Sequence, residues 1–223
     1  MSREDIVQRI ESLGLVPVVR AKSAEEAIRA TVALREGGVD VVEITMTIPD
    51  ALSVMREIAA RMGNDVLLGA GTVLDAASAR ACIAAGAQFV VSPGFDRDTI
   101  VATHELGKPV FPGALTPTEI IAAWKAGADA VKVFPCSAMG GAKYLRALRG
   151  PLPDVKLMPT GGVNLETARD FIAAGAVALG VGGELVDGAA LAAGKDEVLT
   201  ARAREFLSAV RLARAALEKG TQA

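Results

Sequence analysis

Histidine occurs once in the 223 residues, as His104, and cysteine twice, as Cys82 and Cys136. That leaves too few ligands for a zinc centre, and the cysteines form no CxxC pair. Aromatic residues are 4% of the chain, which argues against stacking platforms for bases or sugars. An excess of one charge is also missing. The 24 Lys and Arg residues are balanced by 26 Asp and Glu, a net charge of −2, and no basic block exists. Nucleic acid is therefore not an expected partner. The longest run without a charged residue, 81–95, is 15 residues long and holds Gln88, Ser92, Pro93 and two glycines. A bilayer span needs roughly 20 apolar residues, so no membrane partner is expected. The opening Met1-Ser2-Arg3-Glu4-Asp5 is charged and no apolar stretch follows it, unlike a secretory signal. A reducing, cytoplasmic setting is the expectation.

What the chain has in plenty is a repeated phrase. A helical pattern ends in Gly-Gly or Ala-Gly-Ala, and a short apolar strand follows. The phrase occurs at Gly37-Gly38, Ala85-Gly86-Ala87, Ala126-Gly127-Ala128 and Ala174-Gly175-Ala176. Glycine just past a helix supplies the left-handed conformation of the cap, and the β-branched run after it reads as a buried parallel strand. Weaker strands fill the gaps at about 15–20, 66–72, 109–113 and 155–160. Helical patterns lie between them at 23–35, 50–62, 75–85, 97–106, 118–126, 143–149 and 164–174, with Ser23 and Asp75 as N-caps. Eight strands alternating with helices, without a linker, predict an α/β protein: one (β/α)8 TIM barrel over 1–223. An open doubly wound sheet is the alternative. A helix at about 2–13 and another at about 196–217 frame the barrel.

The phrase also provides a register. Five residues after its glycine, the even-numbered strands place Glu43, Val91, Lys132 and Gly180. Barrel interiors fill in layers of four from alternate strands, so these positions share a layer with two ionisable groups in it. Strand alternation puts Ala130, Lys132 and Phe134 on one face and Val131 and Val133 on the face toward the helices. Burial disfavours an ammonium and frees an amine for attack on a carbonyl. A buried carboxylate at Glu43 can relay protons. A Glu touching the lysine would oppose that reactivity, so the pair is expected to be offset or bridged by water. The competing readings are a structural ion pair, an isomerase using Glu43 as base, and a barrel that binds small acids without catalysis.

Polar and glycine-rich segments fall where the strands end: Arg20, then Gly69 to Thr72, Ser92-Pro93-Gly94, Thr160-Gly161-Gly162 and Gly180 to Gly183. Glycine-rich ends on the last two strands expose amides in the manner of a phosphate cradle. His104 reads as a surface or boundary residue, both cysteines as packed thiols, Trp124 and Tyr144 as packing, and Arg146 and Arg149 as a solvated helix face.

These motifs in their order resemble the class I aldolases of the 2-keto-3-deoxy-6-phosphogluconate (KDPG) and 4-hydroxy-2-oxoglutarate (KHG) family over about 5–215. The resemblance rests on Val-Pro-Val-Val-Arg (16–20), Val-Glu-Ile-Thr (42–45), Gly-Ala-Gly-Thr-Val-Leu (69–74), Val-Ser-Pro-Gly (91–94), Phe-Pro-Gly (111–113), Thr-Pro-Thr-Glu (116–119), Val-Lys-Val-Phe-Pro (131–135) and Pro-Thr-Gly-Gly-Val (159–163). It implies a Schiff base on Lys132 with pyruvate or the 2-keto acid, proton transfer by Glu43, and no external cofactor or metal. It implies substrate contacts at Arg20, Thr47, Thr72, Pro93, Phe134 and Thr160, and phosphate contacts at Gly161, Gly162, Gly182 and Gly183. The expected products are pyruvate and an aldehyde, glyceraldehyde 3-phosphate or glyoxylate, and the expected assembly is a homotrimer. Two positions depart from the family pattern. Thr47 stands where an arginine often grips the carboxylate, and Gly183-Glu184 stands where a serine often meets the phosphate.

Overall fold

Strands and helices alternate through the computed structural model, which describes residues 1–221. Helix α1 (Arg3–Leu13) starts at a capping box, in which the Ser2 hydroxyl accepts from the Asp5 amide and the Asp5 carboxylate accepts from the Ser2 amide. It stops at Gly14, whose φ of 72° only glycine adopts cheaply. There follow β1 (Leu15–Val19), α2 (Ala24–Glu36), β2 (Val41–Thr45), α3 (Ala51–Met62), β3 (Leu67–Gly71), α4 (Ala76–Ala84), β4 (Phe89–Val91) and α5 (Arg97–Glu105). The second half runs β5 (Val110–Phe111), β6 (Gly113–Ala114), α6 (Pro117–Lys125), β7 (Val131–Val133), α7 (Ala142–Arg149), β8 (Leu157–Pro159), α8 (Leu165–Ala173), β9 (Leu179–Val181), α9 (Gly188–Ala192) and α10 (Asp196–Thr221). The Ser23 and Asp75 side chains cap α2 and α4 as expected.

All strand pairs are parallel. Six strands form one sheet in the order β5-β4-β3-β2-β1-β9, and three form another in the order β6-β7-β8. Proline 112 divides the expected fifth strand into β5 and β6, because it has no N–H to give to a ladder. Its carbonyl still accepts from the Lys132 amide. Single bridges, Leu157 to Ala176 and Thr160 to Gly180, join β8 to the β9 side. The short α9 has no counterpart in the sequence reading, since five residues carry no helical period. Helix α10 also runs past 217, to Thr221. No helix among the described residues is long and apolar enough to cross a membrane.

Alternation along the strands produces two cores. Val131, Val133, Leu157, Leu179 and their counterparts face the helices in the larger one. The smaller one gathers Val16, Val41, Leu67, Phe89, Val91, Phe111, Ala130, Met158 and Ala178, capped by Ile6, Val7 and Ile10 of α1. Phe89 meets Phe111 edge to face, with centroids 5.9 Å apart. Salt bridges bind α1 to the amino ends of the strands: Arg3 to Asp129 at 2.7 Å, Arg9 to Asp40 at 2.8 Å and Glu11 to Lys156 at 2.6 Å. These ties leave the carboxyl ends of the strands as the face where chemistry can occur.

Candidate active site

Lys132 lies at the middle of β7, and Glu43 at the middle of β2. Lys132 is 4% exposed and Glu43 is 1% exposed. Their side chains project away from the helices, as the outward packing of Val131, Val133, Val42 and Ile44 requires. Lys132 Nζ stands 3.9 Å from Glu43 Oε1, an ion pair too long for a hydrogen bond. Neither Glu43 oxygen accepts a hydrogen bond from any described residue. Buried polar atoms are nearly always partnered, so two unpartnered oxygens on one buried carboxylate call for a reason, and a catalytic role is one. The ammonium also lies 5.4 Å from the centroid of the Phe134 ring, on the same side of the strand.

Threonine 160, directly after β8, is buried, and its hydroxyl is likewise unpartnered. Its amide donates to Val133, so the backbone holds it beside the lysine strand. Thr72, just past β3, has a φ of 58°, a left-handed conformation that costs a non-glycine residue about 1–3 kcal/mol. Pro93 packs its carbonyl carbon against Gly113 at the end of β4, where a Cβ would come within 2.2 Å. Gly161 and Gly162 take φ values of 89° and 74°, so their amides are turned in a way side-chained residues rarely allow. Gly182 and Gly183 are not in that region. Arg202 of α10 donates to the carbonyls of Gly183 and Glu184, which ties this loop to the helix.

Two expected contacts are arranged differently from one another. The Thr45 hydroxyl donates to the Val19 carbonyl and lies 2.8 Å from the Thr47 hydroxyl, so the Thr47 proton goes to Thr45. Thr47 then offers only lone pairs, a poor match for a carboxylate. Arg20 follows β1 and is exposed, with Nη1 3.2 Å from where a Cβ on Gly182 would sit. It leans toward the β9 loop, on the opposite side of β1 from Thr72. Thr45, buried beside Glu43 on β2, is the residue that fixes Thr47 and that the sequence pattern did not single out. Its place two residues after Glu43 on the same strand face was the available signal.

The remaining singled-out residues serve packing. Cys82 and Cys136 are buried, and burial raises both thiols to about 11, which makes them poor nucleophiles. The Tyr144 hydroxyl donates to the Leu115 carbonyl. His104 is half-buried and meets Asp129 at 3.2 Å at the amino ends of the strands, away from their carboxyl ends. Arg149 is not wholly solvated: it donates to the Val155 carbonyl. Among the described residues no group of three or more His, Cys, Asp or Glu side chains gathers to hold a metal ion.

Fold and site together define a class: a parallel α/β enzyme whose centre sets a sequestered amine beside a sequestered carboxylate. Comparison with known proteins narrows it. The model of the KDPG and KHG aldolase family matches residues 6–201. The 2-dehydro-3-deoxy-phosphogluconate aldolase of Treponema pallidum is 36% identical over 208 residues, covering 92% of this chain and 97% of that one. The KHG/KDPG aldolase of Escherichia coli is 36% identical over 198 residues, 89% of this chain and 92% of its own. Among solved structures, the KDPG aldolase of Legionella pneumophila, with pyruvate captured at low pH as a covalent carbinolamine, superposes with a TM-score of 0.84 at 29% identity, covering 90% of this chain and 97% of that one. This chain belongs to the KDPG and KHG aldolase family.

Proposed function

We propose that the chain is a Schiff-base aldolase that cleaves a 2-keto-3-deoxy sugar acid or 4-hydroxy-2-oxoglutarate to pyruvate and an aldehyde, with Lys132 as nucleophile and Glu43 as proton carrier. The single observation that carries this reading is the buried Lys132 amine 3.9 Å from a buried carboxylate with two unpartnered oxygens. The amine of Lys132 adds to the keto carbon to give a carbinolamine, and loss of water leaves a protonated imine. That cation draws the electrons of the C3–C4 bond as Glu43 takes the proton of the C4 hydroxyl. The aldehyde leaves and an enamine remains. Protonation at C3 restores the imine, and water releases pyruvate and the free lysine. The chemistry needs a general acid and base, worth about 10²–10⁴ in rate, and a nucleophile sequestered from bulk water.

The same geometry supports a set of substrate contacts. Thr160, with a free buried hydroxyl, faces the reacting chain, and Thr72, Pro93 and Phe134 line the pyruvate end. Gly161 and Gly162 supply turned amides to a distal anion, and Gly182 and Gly183 border the same end. Arg20, beside Gly182, adds positive charge there, which favours a phosphorylated aldehyde product. The two sheets are read as arcs of one closed eight-stranded barrel, because one inner core takes residues from strands of both. A single domain, a homotrimeric assembly and a cytoplasmic setting complete the proposal.

The test is covalent capture. Borohydride added with pyruvate is expected to leave a reduced pyruvyl group on the peptide containing Lys132. Lys132→Met is expected to abolish both the adduct and pyruvate release, a loss of roughly 10⁴-fold or more, with the fold retained. Active protein without an adduct would overturn the assignment.

A further inference from the structure

Gly71 closes β3 without any conformational reason to be glycine. Its φ is not positive, and it sits in an ordinary strand paired with Thr45. What a side chain there would meet is the far end of Glu43, which would have to move aside. A Cβ at 71 would lie 1.9 Å from Glu43 Oε1, 2.5 Å from its Cδ and 2.6 Å from its Cγ. The backbone cannot yield easily, because the Gly71 carbonyl accepts from the Met46 amide at 2.8 Å within a five-residue parallel ladder. Hydrogen bonds are the usual means of fixing a buried carboxylate, and Glu43 receives none from the described residues. The contour of β3 must do that work instead.

We propose that Gly71 is a positioning residue: its missing Cβ is the slot in which the Glu43 carboxylate lies, and that slot sets the carboxylate's place relative to Lys132. The inference rests on Glu43 as proton carrier. A carboxylate held by shape, not by donors, keeps all its lone pairs for the substrate proton and can still be aimed. Any side chain at 71 displaces it by more than an ångström, and a misplacement of about 1 Å can cost on the order of 10²-fold in rate.

Gly71→Ala is therefore expected to lower kcat about 100-fold with little change in KM, while borohydride still traps pyruvate on Lys132. Glu43→Asp withdraws the carboxylate by one methylene and is slow by itself. Combined with Gly71→Ala it is expected to regain at least tenfold over Gly71→Ala alone; no recovery overturns the proposal. A thermal cycle reads the slot without chemistry. Gly71→Ala is expected to lower Tm by about 5 °C in the natural chain and by far less in a Glu43→Ala background. Equal costs in both backgrounds overturn the proposal. If Gly71→Ala fails to fold while Gly71→Ala/Glu43→Ala folds, the slot is supported; if both fail, it is refuted. Unchanged kcat in Glu43→Gln would instead remove the proton-carrier role, and the thermal cycle separates that result from failure of the slot.

Discussion

At the amino ends of the strands Asp129 accepts hydrogen bonds from Arg3, His104 and the Val110 amide; Glu43, in the middle of β2 with its carboxylate against the carboxyl end of β3, accepts none from the described residues. Glu43 is buried and Asp129 half-buried in a parallel α/β frame. One is saturated, and the other is surrounded by backbone and an amine it does not touch. The amino ends are also plugged: Ile6, Val7 and Ile10 of α1 complete the inner core there, and three salt bridges hold the helix in place. The carboxyl ends instead gather an unpartnered threonine, a strained Thr72 and several glycines. Unmet hydrogen bonds cost free energy, so the contrast separates groups that secure the fold from groups left unpaired at the proposed site.

The largest effect that probes the contrast is at Glu43. Glu43→Gln keeps the shape of the side chain and removes its capacity to take a proton. Retro-aldol turnover is expected to fall about 10²–10³-fold, while borohydride capture of pyruvate at Lys132 persists. Turnover within a factor of two of the natural enzyme would make Glu43 as structural as Asp129 and erase the difference between the two ends.

Much of this arrangement is legible without coordinates, for a physical reason. A buried parallel strand forces alternation, so a charge flanked by valines, as in Val131-Lys132-Val133, has only one side to occupy. The glycine five residues earlier sets its height, which is how Glu43 and Lys132 could be placed in one layer. Other features are set by contacts between distant segments and leave no local trace. Pro112 signals the break in the fifth strand by its missing N–H, but which neighbour each half-strand finds leaves no such trace. The lean of Arg20 toward Gly182 and the pairing of Thr47 with Thr45 depend on rotamers. Gly71 looks like a turn residue in Gly-Ala-Gly-Thr, and only the position of Glu43 gives it another reason to be glycine.

The amino end should respond in stability and not in chemistry. Ile10 is 2% exposed and fills the plug, so Ile10→Ala removes buried methylenes and leaves a cavity. A loss of about 2–4 kcal/mol in urea unfolding is expected, with turnover per folded molecule unchanged. A fall in turnover without a loss of stability would mean that the plug reaches the site and that the two ends are coupled.

The smallest effect, and the most specific, is the pH dependence at Asp129. Burial pushes its carboxyl up, but hydrogen bonds from His104, the Val110 amide and Arg3 outweigh burial and hold it below the ordinary value of 3.8. A folded-state value lower than the unfolded one contributes stability that is present above pH 3.8 and is lost as the pH falls through the lowered value. Asp129→Asn keeps an acceptor but no charge, and is expected to cost about 1 kcal/mol at neutral pH. The gap between variant and natural protein should narrow as the pH drops below about 4, because the natural carboxyl then becomes neutral as well. Unfolding curves at pH 7 and pH 3 test this directly. A gap that stays constant would show that Asp129 acts through shape alone, and the saturated end would then owe nothing to its charge.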